Sequence, residues 1–211
     1  MNPVQSLRLP AVVMFLLGAS LAANATFSIK DAPRQDVDLD TGAISLPKGG
    51  LIQDTANGLT VRAASATIIQ GESLVARDAS VISKVSGSIH ATSLDYRVKT
   101  GRVTAVGPLE YSFESFKGLR AAKAVIAIPE GIAIITGGVS AVSPALTADA
   151  AVVDTNRREA FLYGHFRFER LSSNKADGQL LVKFPQGAGK ATASTTVAAV
   201  ERARYLKWLG R

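Results

Sequence analysis

Hydrophobic and polar residues alternate with a period of two along most of this chain, the spacing that puts every second side chain on one face of a β-strand. In "SLDYRVKTG", Leu94, Tyr96 and Val98 fall on one side and Asp95, Arg97 and Lys99 on the other. "PLEYSFESF" sets Leu109, Tyr111 and Phe113 against Glu110, Ser112 and Glu114. "LTVRA" aligns Leu59, Val61 and Ala63, and "GQLLVKF" groups Leu180, Val182 and Phe184 opposite Lys183. Between such runs lie turn residues: Asp40-Thr41-Gly42, Gln70-Gly71-Glu72, Lys99-Thr100-Gly101 and Pro129-Glu130-Gly131. Each trio holds a glycine, which accepts the positive φ a tight turn needs. Pro47 through Gly50 breaks the pattern after the first hairpin.

A longer rhythm overlies the alternation. Ala91 to Gly107, Ala121 to Gly137 and Ala148 to Gly164 share one plan: a strand rich in small residues, a turn, then a second strand that ends on glycine. A weaker copy starts near Ala63, so the plan recurs about every 28 residues. Leucine-rich repeats would need an asparagine and leucine ladder that this sequence lacks, and a propeller blade needs roughly 40 residues for its four strands. Two strands with their turns fill the period instead. The expectation is an all-β fold of consecutive antiparallel hairpins stacked side by side, each burying one face. Only "VIAI" and "IAIITGG" are apolar on both faces, which places that copy in the middle of the assembly.

The two ends depart from this plan. "TTVAAVERARYLKWLGR" carries Val200, Ala203, Leu206 and Leu209 in an i, i+3 row, which predicts a short basic amphipathic helix from about Thr196. "SSNKADG" and "PQGAGKATAS" read as loops or linker. At the other end, Arg8 precedes an uncharged apolar run from Pro10 to Ala23, and Ala23-Asn24-Ala25 has the small-x-small spacing of a cleavage site. The run falls short of the roughly 20 apolar residues of a membrane span. Residues 1–25 are therefore expected to be an export signal cleaved after Ala25, with an inner-membrane anchor as the alternative. Residues 31–185 form the β-domain and residues 186–211 a linker and basic tail.

Composition narrows the chemistry. The 211 residues include no cysteine, which removes disulfides, thiolate catalysis and cysteine-bound metals. The formal net charge of +7 predicts affinity for anions. No helix-turn-helix, zinc-ligand or ribonucleoprotein aromatic pattern accompanies it, so nucleic acid is not the expected partner. His90 and His165 are the only histidines, and no carboxylate joins them at ligand spacing. No serine sits in a G-x-S-x-G elbow, and "PQGAGKAT" lacks the first glycine of a phosphate loop. No enzyme, metal or cofactor is expected. Arg97, Lys99 and Arg102 gather at one turn, Arg157 and Arg158 at another, and Lys117, Arg120 and Lys123 at a connection between units. Guanidinium groups pair phosphate in two-pronged fashion, so the first two groups are candidates for phosphorylated lipid headgroups. A solvated outer face with edge-blocking lysines is the alternative.

"IHATSLDYRVKTGRVTAVGPLEYSFE" and "GLRAAKAVIAIPEGIAIITGGVSAVSPALTADAAVVDTNRREAFLYGHFRF" resemble the OstA-like periplasmic proteins of lipopolysaccharide transport, the LptA and LptC type. The resemblance rests on the recurring small-residue, turn and glycine scheme from Asp36 to Arg170, behind an export signal. It implies a twisted, incompletely closed β-jellyroll in the periplasm that carries lipopolysaccharide or a similar anionic lipid toward the outer membrane. Its groove would be lined by Leu59, Val61, Leu94, Tyr96, Val98, Leu109, Tyr111, Phe113, Ile126, Ile134, Phe166 and Phe168. The implied partners are the lipid, a membrane surface, and homologous jellyrolls or a second copy joined through edge strands. An envelope scaffold that uses the same hairpins only for assembly is the competing reading.

Overall fold

The computed structural model describes residues 27–83, 87–113, 116–186 and 189–211; the expected export signal at residues 1–25 lies outside them. The alternating runs become strands β1 (Phe27–Asp31), β2 (Asp36–Val37), β3 (Ile44–Leu46), β4 (Gly50–Asp54) and β5 (Leu59–Ile69). They continue as β6 (Ser73–Ser83), β7 (Gly87–Arg97), β8 (Arg102–Phe113), β9 (Phe116–Ala127) and β10 (Ile132–Ala141). β11 (Leu146–Asp154), β12 (Glu159–Phe168), β13 (Leu171–Ser173), β14 (Gln179–Lys183) and β15 (Thr192–Ser194) follow, then one helix, α1 (Ala199–Leu206). All pair antiparallel in one 15-stranded sheet, and β4 to β12 lie in simple chain order. The stacked-hairpin architecture expected from the sequence is the one the chain adopts.

The expected hairpin turns form where the glycines stand. In the first, Gly42 takes a φ of 69°, and the Asp38 carboxylate accepts from the backbone N–H groups of Asp40 and Thr41. Those two N–H groups hold the Asp38 carboxyl below the usual carboxylate range. The turns at the far ends of β5, β7, β9 and β11 then bond to one another: Val98 N donates to Glu72 O, Ile128 N to Gly101 O and Thr155 N to Gly131 O. The ladder thus extends through the turns themselves.

The glycines that close each repeat in the sequence do not end strands. Gly107, Gly137 and Gly164 lie inside β8, β10 and β12, which continue past them to Phe113, Ala141 and Phe168. Their neighbours show why. In β7 the buried residues are Ile89 and Ala91, then Leu94 and Tyr96, so Thr92 and Ser93 point outward in succession. β5 changes phase in the same way between Ala63 and Ala66, and β11 between Ala148 and Ala151. On the glycine-bearing strands the pairing shifts by one residue at this row, the mark of a β-bulge. An outward pair on one strand therefore faces one additional residue on the next.

The effect is a crease across the sheet, which folds each long strand so that both halves turn the same apolar side inward. The sheet's edges divide at the same row. β5 pairs with β4 along its first half and with β3 along its second, while β12 pairs with β14 and then with β13. The inner faces of the two layers make one apolar cluster that runs from Phe27 to Val182.

A second cluster lies on the outer face and explains why one repeat is apolar on both sides. Ala127, Ile132, Val152, Phe161, Tyr163 and Leu181 are covered there by Tyr205, Leu206, Trp208 and Leu209 of α1 and the turn after it. Tyr205 stacks on Phe161 with ring centroids 5.3 Å apart and donates its hydroxyl to Glu159 Oε2 at 2.5 Å. Lys183 Nζ links Glu159 at 3.3 Å to Glu201 at 3.0 Å. Arg211 lies 4.8 Å from the Tyr163 ring centre. The expected helix exists, and Leu206 and Leu209 of its predicted row pack on the sheet, whereas Val200 and Ala203 face outward. Val200, placed in the apolar row by spacing, is 73% exposed, and Tyr205 takes the buried position because Phe161 and Glu159 match its ring and hydroxyl.

Two stability tests follow from crease and cover. Gly137 has a φ of 85°, and an added Cβ would stand 2.7 Å from Ala122 Cβ, whereas Gly138, at 78°, has nothing within 4 Å. Both changes to alanine carry backbone strain of about 1 kcal/mol or more. Gly137→Ala is expected to lower unfolding free energy by at least about 1 kcal/mol more than Gly138→Ala in urea titration. Equal costs would remove the close approach as the reason for the bulge. For the cover, Tyr205→Ala is expected to cost about 3–5 kcal/mol. It should also shift the emission of Trp208, the single tryptophan, to the red while the far-ultraviolet strand signal persists.

Candidate functional site

The inner face is where the predicted groove residues meet. Leu59, Val61, Leu94, Tyr96, Leu109, Tyr111, Ile126, Phe166 and Phe168 are all buried in the main cluster, and Val98 and Phe113 pack against it half-buried. Ile134 does not join them. It lies on the outer face beside Val152 and Phe161, because Ile126 pairs with Ala133 and Ile134 with Val125. In this structure the inner face is closed on itself: Tyr111 is 0% exposed and Tyr96 1%. Of the residues predicted for the groove, Phe113 lines a surface hollow of about 380 Å³ together with Ile82, Ser88 and Lys117.

The strand ends of the two layers meet at a seam, and polar side chains tie it near the first strands. Tyr96 donates its hydroxyl to Asp54 Oδ2 at 2.7 Å, from the turn end of β7 to the opposite layer's β4. Asp54 also accepts from Asn57 N at 3.1 Å and Asn57 Nδ2 at 2.8 Å. Phe27 donates its N–H to the Gln70 side chain at 3.0 Å and accepts from Gln70 Nε2 at 3.1 Å. Its ring meets Tyr96 edge-on at 5.9 Å. Burial, with the Asp54 carboxylate beside it, raises the Tyr96 phenol far above its ordinary range, so it remains a donor. The alternation in "GLIQD" held the signal for this contact: Asp54 occupies the same inward phase as Ile52.

The basic candidates form two groups rather than one rim. Arg97 and Arg102 are directly opposite each other across β7 and β8, with Lys99 in the turn between them. Arg97 is also held by Asp95 at 2.9 Å. Arg157 and Arg158 stand at the β11–β12 turn, where Arg157 lies 3.7 Å from Asp154. Four strand spacings, about 19 Å, separate the two groups. Lys117, Arg120 and Lys123 belong to β9 rather than to a connection, and Arg120 faces Glu110 at 3.7 Å.

The histidines sit apart on the outer face. His90 Nδ1 is 3.0 Å from Ser80 Oγ, and His165 meets Asp149 both through its N–H at 2.9 Å and through Nδ1 at 2.7 Å. The backbone N–H bond, with the ring bond second, holds the Asp149 carboxyl below the usual range. Each histidine thus closes a strand contact. Among the described residues no group of three or more metal-ligating side chains is placed to hold an ion. Among them, too, no helix is long and apolar enough to cross a membrane.

No protein-family model and no curated protein matches the chain. Among solved structures it is similar to LptH of Pseudomonas aeruginosa, described as the LptA-homologous periplasmic component of the lipopolysaccharide transport device. That similarity covers 75% of this chain and 95% of that one, with a TM-score of 0.39 and 15% identity.

Proposed function

We propose that this protein is a non-catalytic carrier of an anionic lipid of the lipopolysaccharide type, working in the periplasm and passing its cargo toward the outer membrane. One observation carries the reading: a continuous apolar face from Phe27 to Val182 is enclosed by a sheet that, among the described residues, does not close, since β1 and β15 end the strand path without pairing to each other. Two layers that meet through side chains separate without breaking a backbone ladder. Acyl chains laid between them replace one apolar contact with another, at about 0.8 kcal/mol per buried methylene. Cargo moves along such a face with no bond made or broken.

Arg97, Lys99 and Arg102 stand at strand ends, where the phosphorylated headgroup of an inserted lipid would emerge, and Arg157 and Arg158 offer a second anchor further along. The outer edges of β1 and β15, unpaired among the described residues, provide backbone groups for a homologous jellyroll or a second copy. The outward basic side chains suit an anionic membrane surface. The full burial of Tyr111 and Leu74 favours a second reading, an envelope scaffold whose interior is packed core throughout.

Photo-crosslinking separates the two. With benzoylphenylalanine at Phe113, irradiation beside lipopolysaccharide is expected to give a lipid adduct, whereas the same residue at Ile134, on the outer face, gives none. Adducts at neither position, or equal adducts at both, would reject the carrier and leave the scaffold.

A further inference from the structure

The seam contacts have the properties of a releasable fastening. They join the layers through side chains, so opening them leaves both backbone ladders whole. Asp54 keeps its two bonds from Asn57 when Tyr96 leaves, and its carboxylate is not stranded. The Tyr96 hydroxyl gains water in exchange. Gln70 belongs to the tight turn between β5 and β6, and Phe27 to the five-residue strand β1, whose outer side has no partner strand among the described residues. Behind the fastening lie Leu59, Val61, Leu94 and Ile52, all at 3% exposure or less. These are apolar side chains that a lipid tail would meet first.

We infer that Tyr96–Asp54 and Phe27–Gln70 form a latch on the port through which acyl chains reach the interior, at the β1–β4 side of the seam. This rests on the carrier reading for its cargo, but the latch itself is a property of the fold. Its release exposes the inner ends of β4, β5 and β7 and leaves β10, β11, β12 and β14, held on their outer face by α1, undisturbed. The port is thus confined to one end of the sheet.

Two loosening changes and one locking change test it. Tyr96→Phe keeps the ring and deletes the hydroxyl, and Gln70→Ala deletes the bonds to Phe27. Loss of one hydrogen bond to a carboxylate, or of the paired bonds to Phe27, is expected to speed amide hydrogen exchange about ten-fold in Phe27–Asp31, Gly50–Asp54 and Ile69–Ser73. Exchange in Ile132–Ala141 and Glu159–Phe168 should stay as in the unaltered protein. Loading from micelles of fluorophore-tagged lipopolysaccharide should accelerate by a similar factor.

The converse variant places cysteines at Phe27 and Gln70 in this cysteine-free chain and joins them with a short bismaleimide. Locked protein should load at least ten-fold more slowly than the same variant left unjoined. Unchanged exchange at the seam, or equal acceleration in β10 and β12, would overturn the latch, as would locked protein that loads at the unjoined rate. Faster seam exchange with no loading by any form would instead reject the carrier reading and leave the latch in place.

Discussion

The fold depends on a reversal of side-chain phase in the middle of its long strands. A flat antiparallel sheet of this width would expose one greasy face over its whole length, since a strand sends alternate residues to opposite sides. Two successive outward residues on β7 and β11, matched by the extra residue at Gly107, Gly137 and Gly164, and outward pairs that face each other in register on β5 and β6, bend the sheet at one row. Each half then turns its apolar side toward the other. Core, seam and port all follow from that single row, because without it no second layer exists.

Much of this was legible in the sequence. The period-two runs around Leu94, Tyr111 and Val61 name strands and their buried sides without help, and "LTVRAASATII" even contains the reversal, with Leu59, Val61 and Ala63 in one phase and Ala66 and Ile68 in the other. The glycines misled because the residue serves two purposes in β-structure. It ends strands at turns, as at Gly101, and it occupies bulges where a neighbouring chain approaches closely, as at Gly137. Local sequence does not tell these apart.

Other features depend on contacts distant in sequence. Where both faces are apolar, as from Val125 to Ile135, alternation has no polar side to fix the phase, and only the pairing of β9 with β10 places Ile134 on the outer face. In α1, the i, i+3 row through Val200 names Leu206 and Leu209 but not Tyr205, the helix residue that is fully buried. Only the matching surface of Phe161 and Glu159, some forty residues upstream, draws that ring inward. The Tyr96–Asp54 bond spans 42 residues and appears in the sequence only as a carboxylate in an inward phase.

The outer cover has a consequence for biosynthesis. α1 lies C-terminal to every strand it shields, so Ile132, Val152, Phe161 and Leu181 are translated before the segment that hides them. A nascent chain that has already formed β10 to β14 presents this patch to its surroundings until the helix arrives. Exposed apolar surface of this kind is what chaperones hold and what aggregates recruit. A premature stop upstream of Tyr205 would therefore leave a sheet that is complete in its strands yet adhesive on one side.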